Sequence, residues 1–209
     1  QQTTRNECNL VLQLNFSNEH RQKYRSMVEA DDCYWINDFS HPIHNDEARG
    51  TKRDTLAWAR IDLDFSTGEA LIEEIQCDFI RDVKGLYDEI KNNGNDSYQR
   101  DLKLKLYYEE VLSEYRKIWD EAMLAASIDF LVRELGIKHV YYHSWETGLR
   151  VKRMNWSFPP KSLYTKLPNR FCFEKTGQTP EFLYKNKEFK RLAKKVGKLQ
   201  WFKLPLQVA

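Results

Sequence analysis

Polar and apolar positions alternate most regularly between Leu56 and Phe79. Ala59, Ile61, Leu63 and Phe65 take every second place, with Trp58, Arg60, Asp62 and Asp64 between them, and Ser66-Thr67-Gly68 follows. Leu71, Ile75, Cys77 and Phe79 then resume the period against Glu74, Gln76 and Asp78. Alternation broken by a short loop ending in glycine predicts a β-hairpin. A loop of these three residues sets Glu74 opposite Arg60 and Leu71 opposite Leu63, so the apolar rows share one face and the ionisable rows the other. Glu73 falls on the apolar face, where burial raises a carboxyl pKa and marks a site candidate.

The rest of the pattern surrounds this hairpin with helices and shorter strands. Asn9–Phe16 alternates as a first strand, and Ser17 or Asn18 caps a helix over Glu19–Ala30. Asp31–Arg53 reads as an irregular loop holding His41 and His44, and Ile80–Tyr87 as a short mixed segment. Tyr98–Leu135 is helical, in one piece or two. Its second half is apolar along Trp119, Ala122, Ala126 and Phe130 and again along Leu124, Ile128, Leu131 and Leu135, which predicts a mostly buried helix ended by Gly136. His139–Ser144 follows as a strand, then a short helix with Arg150, Lys152 and Arg153, and another beginning at Ser162-Leu163-Tyr164. Phe171–Phe173 reads as a short strand, Glu181–Lys195 as a basic helix and Leu199–Leu206 as an edge strand interrupted by Pro205. Helices leading directly into strands predict an α/β or α+β fold, one domain over residues 1–209, with a central mixed sheet built on the hairpin and helices on both faces.

Charge divides the chain sharply. From Leu149 onward there are fifteen Lys and Arg against three Asp and Glu, a net +12, whereas residues 1–148 carry −10. The basic part is expected to meet an anionic ligand, a phosphate-bearing cofactor or nucleic acid. Trp145, Trp156, Phe158 and Tyr164 interleave there with Arg150, Lys152, Arg153 and Lys161, a pattern that serves base stacking or core packing. No apolar run reaches the roughly 18 residues of a membrane span, and no leader segment is visible. Four scattered cysteines without a CxxC pair predict reduced thiols in a cytoplasmic setting and argue against a zinc site.

Three resemblances attach chemistry to this frame. Asp62 or Asp64 followed on the next strand by Glu74-Ile75-Gln76 resembles the D…(D/E)xK arrangement of restriction-endonuclease-like nucleases, with Gln76 at the lysine position. It implies Mg²⁺ held by Asp62, Asp64 and Glu74, and a metal-activated water. The alternative is that Arg60 neutralises Glu74 while the remaining acids face solvent.

Tyr164 ahead of Phe171-Cys172-Phe173 resembles the A-x-x-x-Y-x-x-x-G-F ending of the GCN5-related N-acetyltransferases. That resemblance implies an acetyltransferase-like topology, an acyl-CoA cofactor and an amine or nucleic-acid-linked acceptor. Tyr164 would be the acid that protonates the leaving thiol, and Glu74 or His143 the base. The family's phosphate loop, Q/R-x-x-G-x-G/A, corresponds in place to Arg81-Asp82-Val83-Lys84-Gly85, so Arg81, Lys84 and Gly85 would hold the cofactor, with Lys152 lining the cleft. Thirdly, Leu71–Phe79 with Trp119–Ile137 resembles the EEIQSDW segment of large phage and mobile-element proteins, which implies a phage or bacterial conflict context rather than a particular reaction. The non-enzyme alternative is a nucleic-acid-binding or interaction module using the basic C-terminal third.

Overall fold

The computed structural model describes residues 8–28, 55–93, 99–152 and 159–206. His41 and His44, and likewise Arg153, Trp156 and Phe158, lie outside the described residues. In chain order the elements are β1 (Asn9–Asn15), α1 (Asn18–Met27), β2 (Thr55–Asp64), β3 (Glu69–Gln76), α2 (Asp78–Asn93), α3 (Gln99–Leu106), α4 (Ser113–Asp129), β4 (His139–His143), α5 (Trp145–Lys152), α6 (Lys166–Arg170), β5 (Glu174–Thr176), α7 (Lys187–Val196) and β6 (Trp201–Lys203). The described strands form one mixed sheet in the order β1-β2-β3-β4-β6-β5. β3 pairs parallel with β4, and β6 runs antiparallel to both β4 and β5. Among the described residues no helix is long and apolar enough to cross a membrane.

The hairpin forms where alternation predicts it. Its turn takes Phe65 to Gly68, and Gly68 adopts a φ of 65°, which a residue without Cβ reaches at little cost. Phe65 therefore leaves the strand and is 60% exposed rather than facing the core. Both faces of β2 and β3 are buried, Asp62 at 1% exposure included, so the expected solvated polar face does not exist. The return strand also ends early: Asp78 opens α2, whose buried residues include Phe79, Ile80, Val83 and Ile90. Cys77 and Asp78 are thus not strand residues, and Ile80–Tyr87 is helix interior.

Several other expectations shift in register. Gln99–Glu134 is helical in pieces, with π turns at Tyr107–Val111 and Phe130–Glu134, and it ends with Gly136 at φ 64° and Ile137 N–H bonded to the Leu131 carbonyl. Of its second half, Met123, Leu124, Ser127 and Leu131 are buried, while Trp119, Ala122, Ala126 and Phe130 are only half-buried or exposed. Phe171 and Cys172 form a turn after α6 and are not a strand; β5 is the polar Glu174–Thr176 beyond them. β6 lies inside the sheet, between β4 and β5, and Pro205 falls beyond its end. The basic helix is divided: a 3₁₀ turn covers Glu181–Lys185, and α7 is capped by Asn186, whose side chain accepts from the N–H groups of Glu188 and Phe189.

The chain separates into two compact units. The first comprises Gln1–Leu12, Ala59–Ile75 and Leu124–Ala209. Its core joins Leu71 of β3 and Tyr141 of β4 with Val151 of α5, Phe182, Leu183, Phe189 of α7, Leu199 and Trp201. The opposite sheet face carries Tyr142, against which Tyr164 and Phe173 pack at ring distances of 5.6 and 6.2 Å.

The second unit comprises Gln13–Trp58 and Gln76–Met123. An aromatic cluster of Phe16, His20, Tyr24, Phe79, Tyr107 and Tyr115 fills it, with Phe16 and His20 stacked at 3.7 Å. The side chain of Ser17 caps α1, as expected, accepting from His20 N–H at 3.2 Å.

Candidate active site at the end of the parallel ladder

The parallel ladder between β3 and β4 ends at Ile72 and Tyr142, whereas β3 runs on to Gln76. Backbone beyond the ladder needs partners from elsewhere. One is Lys152 at the end of α5, which donates to the Glu73 carbonyl at 2.5 Å. The same ammonium lies 3.7 Å from the Glu73 carboxylate and 3.6 Å from that of Glu74. Consecutive strand residues point to opposite faces, so Lys152 spans the strand edge and serves both sides.

Each carboxylate has a second cationic or basic neighbour. Arg60 donates to Glu74 at 2.6 Å, and this pair is buried. The Arg60–Glu74 juxtaposition expected from the hairpin pattern is present. Glu73 faces His143 Nε2 at 3.3 Å. His143 is wholly buried with Trp201 beside it, the ring centroids 5.0 Å apart. Two carboxylates therefore meet Arg60, Lys152 and His143 in a space from which water is largely excluded, where unbalanced charge would be costly.

Tyr164, in the 3₁₀ turn before α6, lines one slot with Lys152 of this cluster. Burial pushes its phenol pKa up, the charges of Glu74 and Glu73 push it further, and Arg60 opposes them. The phenol consequently keeps its proton throughout the neutral range. A shallow apolar slot beside it is lined by Trp145, Gly148, Leu149, Lys152, Pro159 and Tyr164. Gly148 of α5 lies between the His143 and Tyr164 side chains, and a Cβ there would make ordinary van der Waals contact, 3.6 Å from His143 Cβ and 3.9 Å from Tyr164 Cε1.

The position of α5 is fixed by polar contacts that pattern reading missed. Ser144 caps it, accepting from Thr147 N–H at 3.2 Å, and both hydroxyls donate to the Gln200 carbonyl at 2.6 Å. Gln200 N–H returns a bond to Thr147 Oγ1 at 3.0 Å. Ser144 directly after a strand is an N-cap signal, and it was the available clue.

Other sequence-predicted residues lie away from this centre. The Asp64 carboxylate accepts from Ser66 and Thr67 in the hairpin turn and from Lys185 at 2.5 Å. Burial alone would raise its pKa, but Lys185, Ser66 and Thr67 outweigh that and hold it at about 2. Among the described residues no group of three His, Cys, Asp or Glu side chains gathers in a way that would hold a metal ion. Asp62, Asp64 and Glu74 do not form the expected cation site.

Arg81, Lys84 and Gly85 sit within α2 rather than in a loop. Arg81 pairs with Asp78 at 2.6 Å and Lys84 with Asp88. Asp78 itself occupies the first turn of α2 and accepts from Trp58 Nε1 at 2.8 Å, so the chain supplies its own anion there. These residues do not fit a cofactor phosphate. Gln76 closes β3, half-buried.

Compared with known proteins, the chain matches no family model, no curated protein and no solved structure.

Proposed function

We propose that the chain is an acyltransferase-like domain, similar in layout to the GCN5-related N-acetyltransferases, with its reacting centre at Tyr164, Glu74 and Lys152. The observation that carries this reading is a buried, protonated phenol lining one slot with Lys152, whose ammonium lies 3.6 Å from Glu74, where β3 outruns its parallel partner. A hairpin leading through helices to a parallel strand, and a tyrosine placed before the last strand pair, support the same layout.

Acyl transfer to an amine needs one group to take the amine proton and another to give a proton to the departing atom. Glu74 is the acceptor of choice, because its charge acts on Tyr164 and its carboxylate is oriented by Arg60. Tyr164 is the donor. Lys152 positions both carboxylates and the end of β3, and His143, buried behind Glu73, is a positioning residue rather than the base. The lack of fit between α2 and a cofactor phosphate leaves the acyl donor unassigned.

The test is release of free thiol from simple acyl thioesters, acetyl-CoA among them, in the presence of a panel of amines. Thiol release is expected, and Tyr164→Phe should lower it at least ~100-fold with an unchanged circular dichroism spectrum, a loss typical of removing a general acid. Release that survives Tyr164→Phe undiminished, or no release with any donor, would overturn the assignment. Mg²⁺-dependent nicking of plasmid DNA would instead revive the nuclease reading.

A further inference from the structure

The outer side of α7 carries a stripe of cations that the proposed chemistry does not use. Lys187, Lys190, Arg191, Lys194 and Lys195 are all exposed, and Lys198 continues the row just past the helix. At the helical period these positions fall within about 140° of arc, and Lys187 to Lys195 spans about 12 Å. Phe189, Leu192, Ala193 and Val196 occupy the other side and pack on the core beside Trp201 and Leu183. The helix is therefore anchored through its apolar side and cannot turn its charges inward. Glu188 is its single acid.

The cations of the stripe also stay uncommitted. Among the described residues no ion pair joins any of them to a carboxylate, whereas Lys185, immediately before the helix, is taken by Asp64. A row of like charges on one face is repulsive on its own and becomes favourable only against a counter-charge. Three classes of partner supply one: an acidic protein surface, a nucleic-acid backbone, or an anionic membrane, which binds a helix through a free apolar side that this helix packs on the core. Protein interfaces concentrate aromatic and apolar groups at their centre and exclude charge there. This face has no apolar centre, and its cations recur every three or four residues, about 5–6 Å along the helix. That regular, all-cationic row suits successive phosphates, which position a protein on nucleic acid without reading its sequence.

We propose that the outer face of α7 is a phosphate-backbone contact surface for nucleic acid, engaged by Lys187, Lys190, Arg191, Lys194 and Lys195. It stands independently of the acyl-transfer reading. Were both to hold, the acceptor would be delivered on, or held close to, a nucleic acid.

The experiment uses the full chain and fluorescein-labelled mixed-sequence duplexes of DNA and of RNA, read by anisotropy over a range of salt. Affinity should fall linearly on logarithmic axes as salt rises. Neutralising Lys190→Gln, Arg191→Gln and Lys194→Gln together should reduce the duplex-DNA slope by about 2.7, at about 0.9 for each phosphate left without its cation. A control with the same net charge, Lys91→Gln with Lys117→Gln and Arg133→Gln, should keep the slope of the unmodified chain. Circular dichroism and the thiol-release assay accompany each variant, so that a folding defect or a failed acyl-transfer assignment is read separately. Three outcomes would overturn the proposal: no binding at about 50 mM salt, equal slope changes in the two variants, or poly-glutamate binding as tightly as the duplexes with the same dependence on the stripe.

Discussion

The two units bury polar groups in opposite ways. In the second unit His20 is enclosed by aromatic rings and held neutral: burial first, and Lys23 second, lower its pKa to about 4, and Tyr107 hydroxyl meets its Nε2 at 2.8 Å. In the first unit Glu73, Glu74, Arg60 and Lys152 are buried as opposing charges. A neutral imidazole among rings contributes to packing and carries no charge to be balanced, one ring nitrogen here meeting the Tyr107 hydroxyl. A charge cluster is a poor way to stabilise a fold, since apolar residues of similar volume would serve as well or better. By that contrast His20 packs as core, and the first unit's cluster is where the proposed chemistry would sit.

Breaking the charged centre should give the largest effect. Arg60→Met leaves Glu74 buried without its main partner and is expected to lower unfolding free energy by about 3 kcal/mol or more, measured by urea denaturation. Arg60→Met combined with Glu74→Leu should recover most of that loss while abolishing acyl transfer. A double variant as unstable as the single one would mean that the pair itself, rather than its imbalance, holds the fold.

The neutral centre predicts a pH signature instead. An unfolded His20 titrates near 6.5 and the folded one near 4, so the folded chain refuses a proton that the unfolded chain accepts. His20's contribution is intact above pH 6.5 and is lost as pH falls toward 4. The loss reaches at most about 3.5 kcal/mol, at about 1.4 kcal/mol per pKa unit. Urea titrations across this window should show the fall, and His20→Phe should flatten it. Equal slopes in both proteins would remove His20 from the account.

The smallest effect belongs to the carboxylate that neither centre uses. Asp64→Asn breaks a contact with the largely exposed Lys185 and should cost less than about 1 kcal/mol. Because folding depresses the Asp64 pKa, its contribution is present above about pH 4 and disappears as pH falls through 2. Thiol release should be unchanged in this variant, whereas a metal-dependent nuclease built on Asp64 would lose its activity.

The hairpin and its Arg60–Glu74 pair were readable because period-two alternation and cross-strand register are local properties. The Ser17 cap and the Gly136 stop were readable for the same reason. The end of β3 was not. Cys77, Asp78 and Phe79 continue an alternating pattern, while Phe79, Ile80 and Val83 begin a helical one, and over so few residues the two periods coincide. β5 is a short edge strand of Glu174, Lys175 and Thr176 that buries too little to leave an apolar signal. At the site, Tyr164, Lys152 and Glu74 were all singled out, yet their convergence depends on α5 reaching the end of β3. The arrangement of Asp64 followed from Lys185, far along the chain, which no local pattern announces.

The hairpin turn has one more consequence. The Gly68 carbonyl accepts from Lys138 N–H at 2.9 Å and from His139 N–H at 3.0 Å, so the bend between β2 and β3 also receives the start of β4. The end of β3 and the start of β4 are then held in one sheet whatever length of chain makes the excursion between them. The entropy of closing such an excursion grows only with the logarithm of its length, about 0.6 kcal/mol for each doubling. A few residues added at an exposed connection between β3 and β4 would therefore change the cost of closing the parallel pair only slightly, so long as Lys138 and His139 still reach the Gly68 carbonyl.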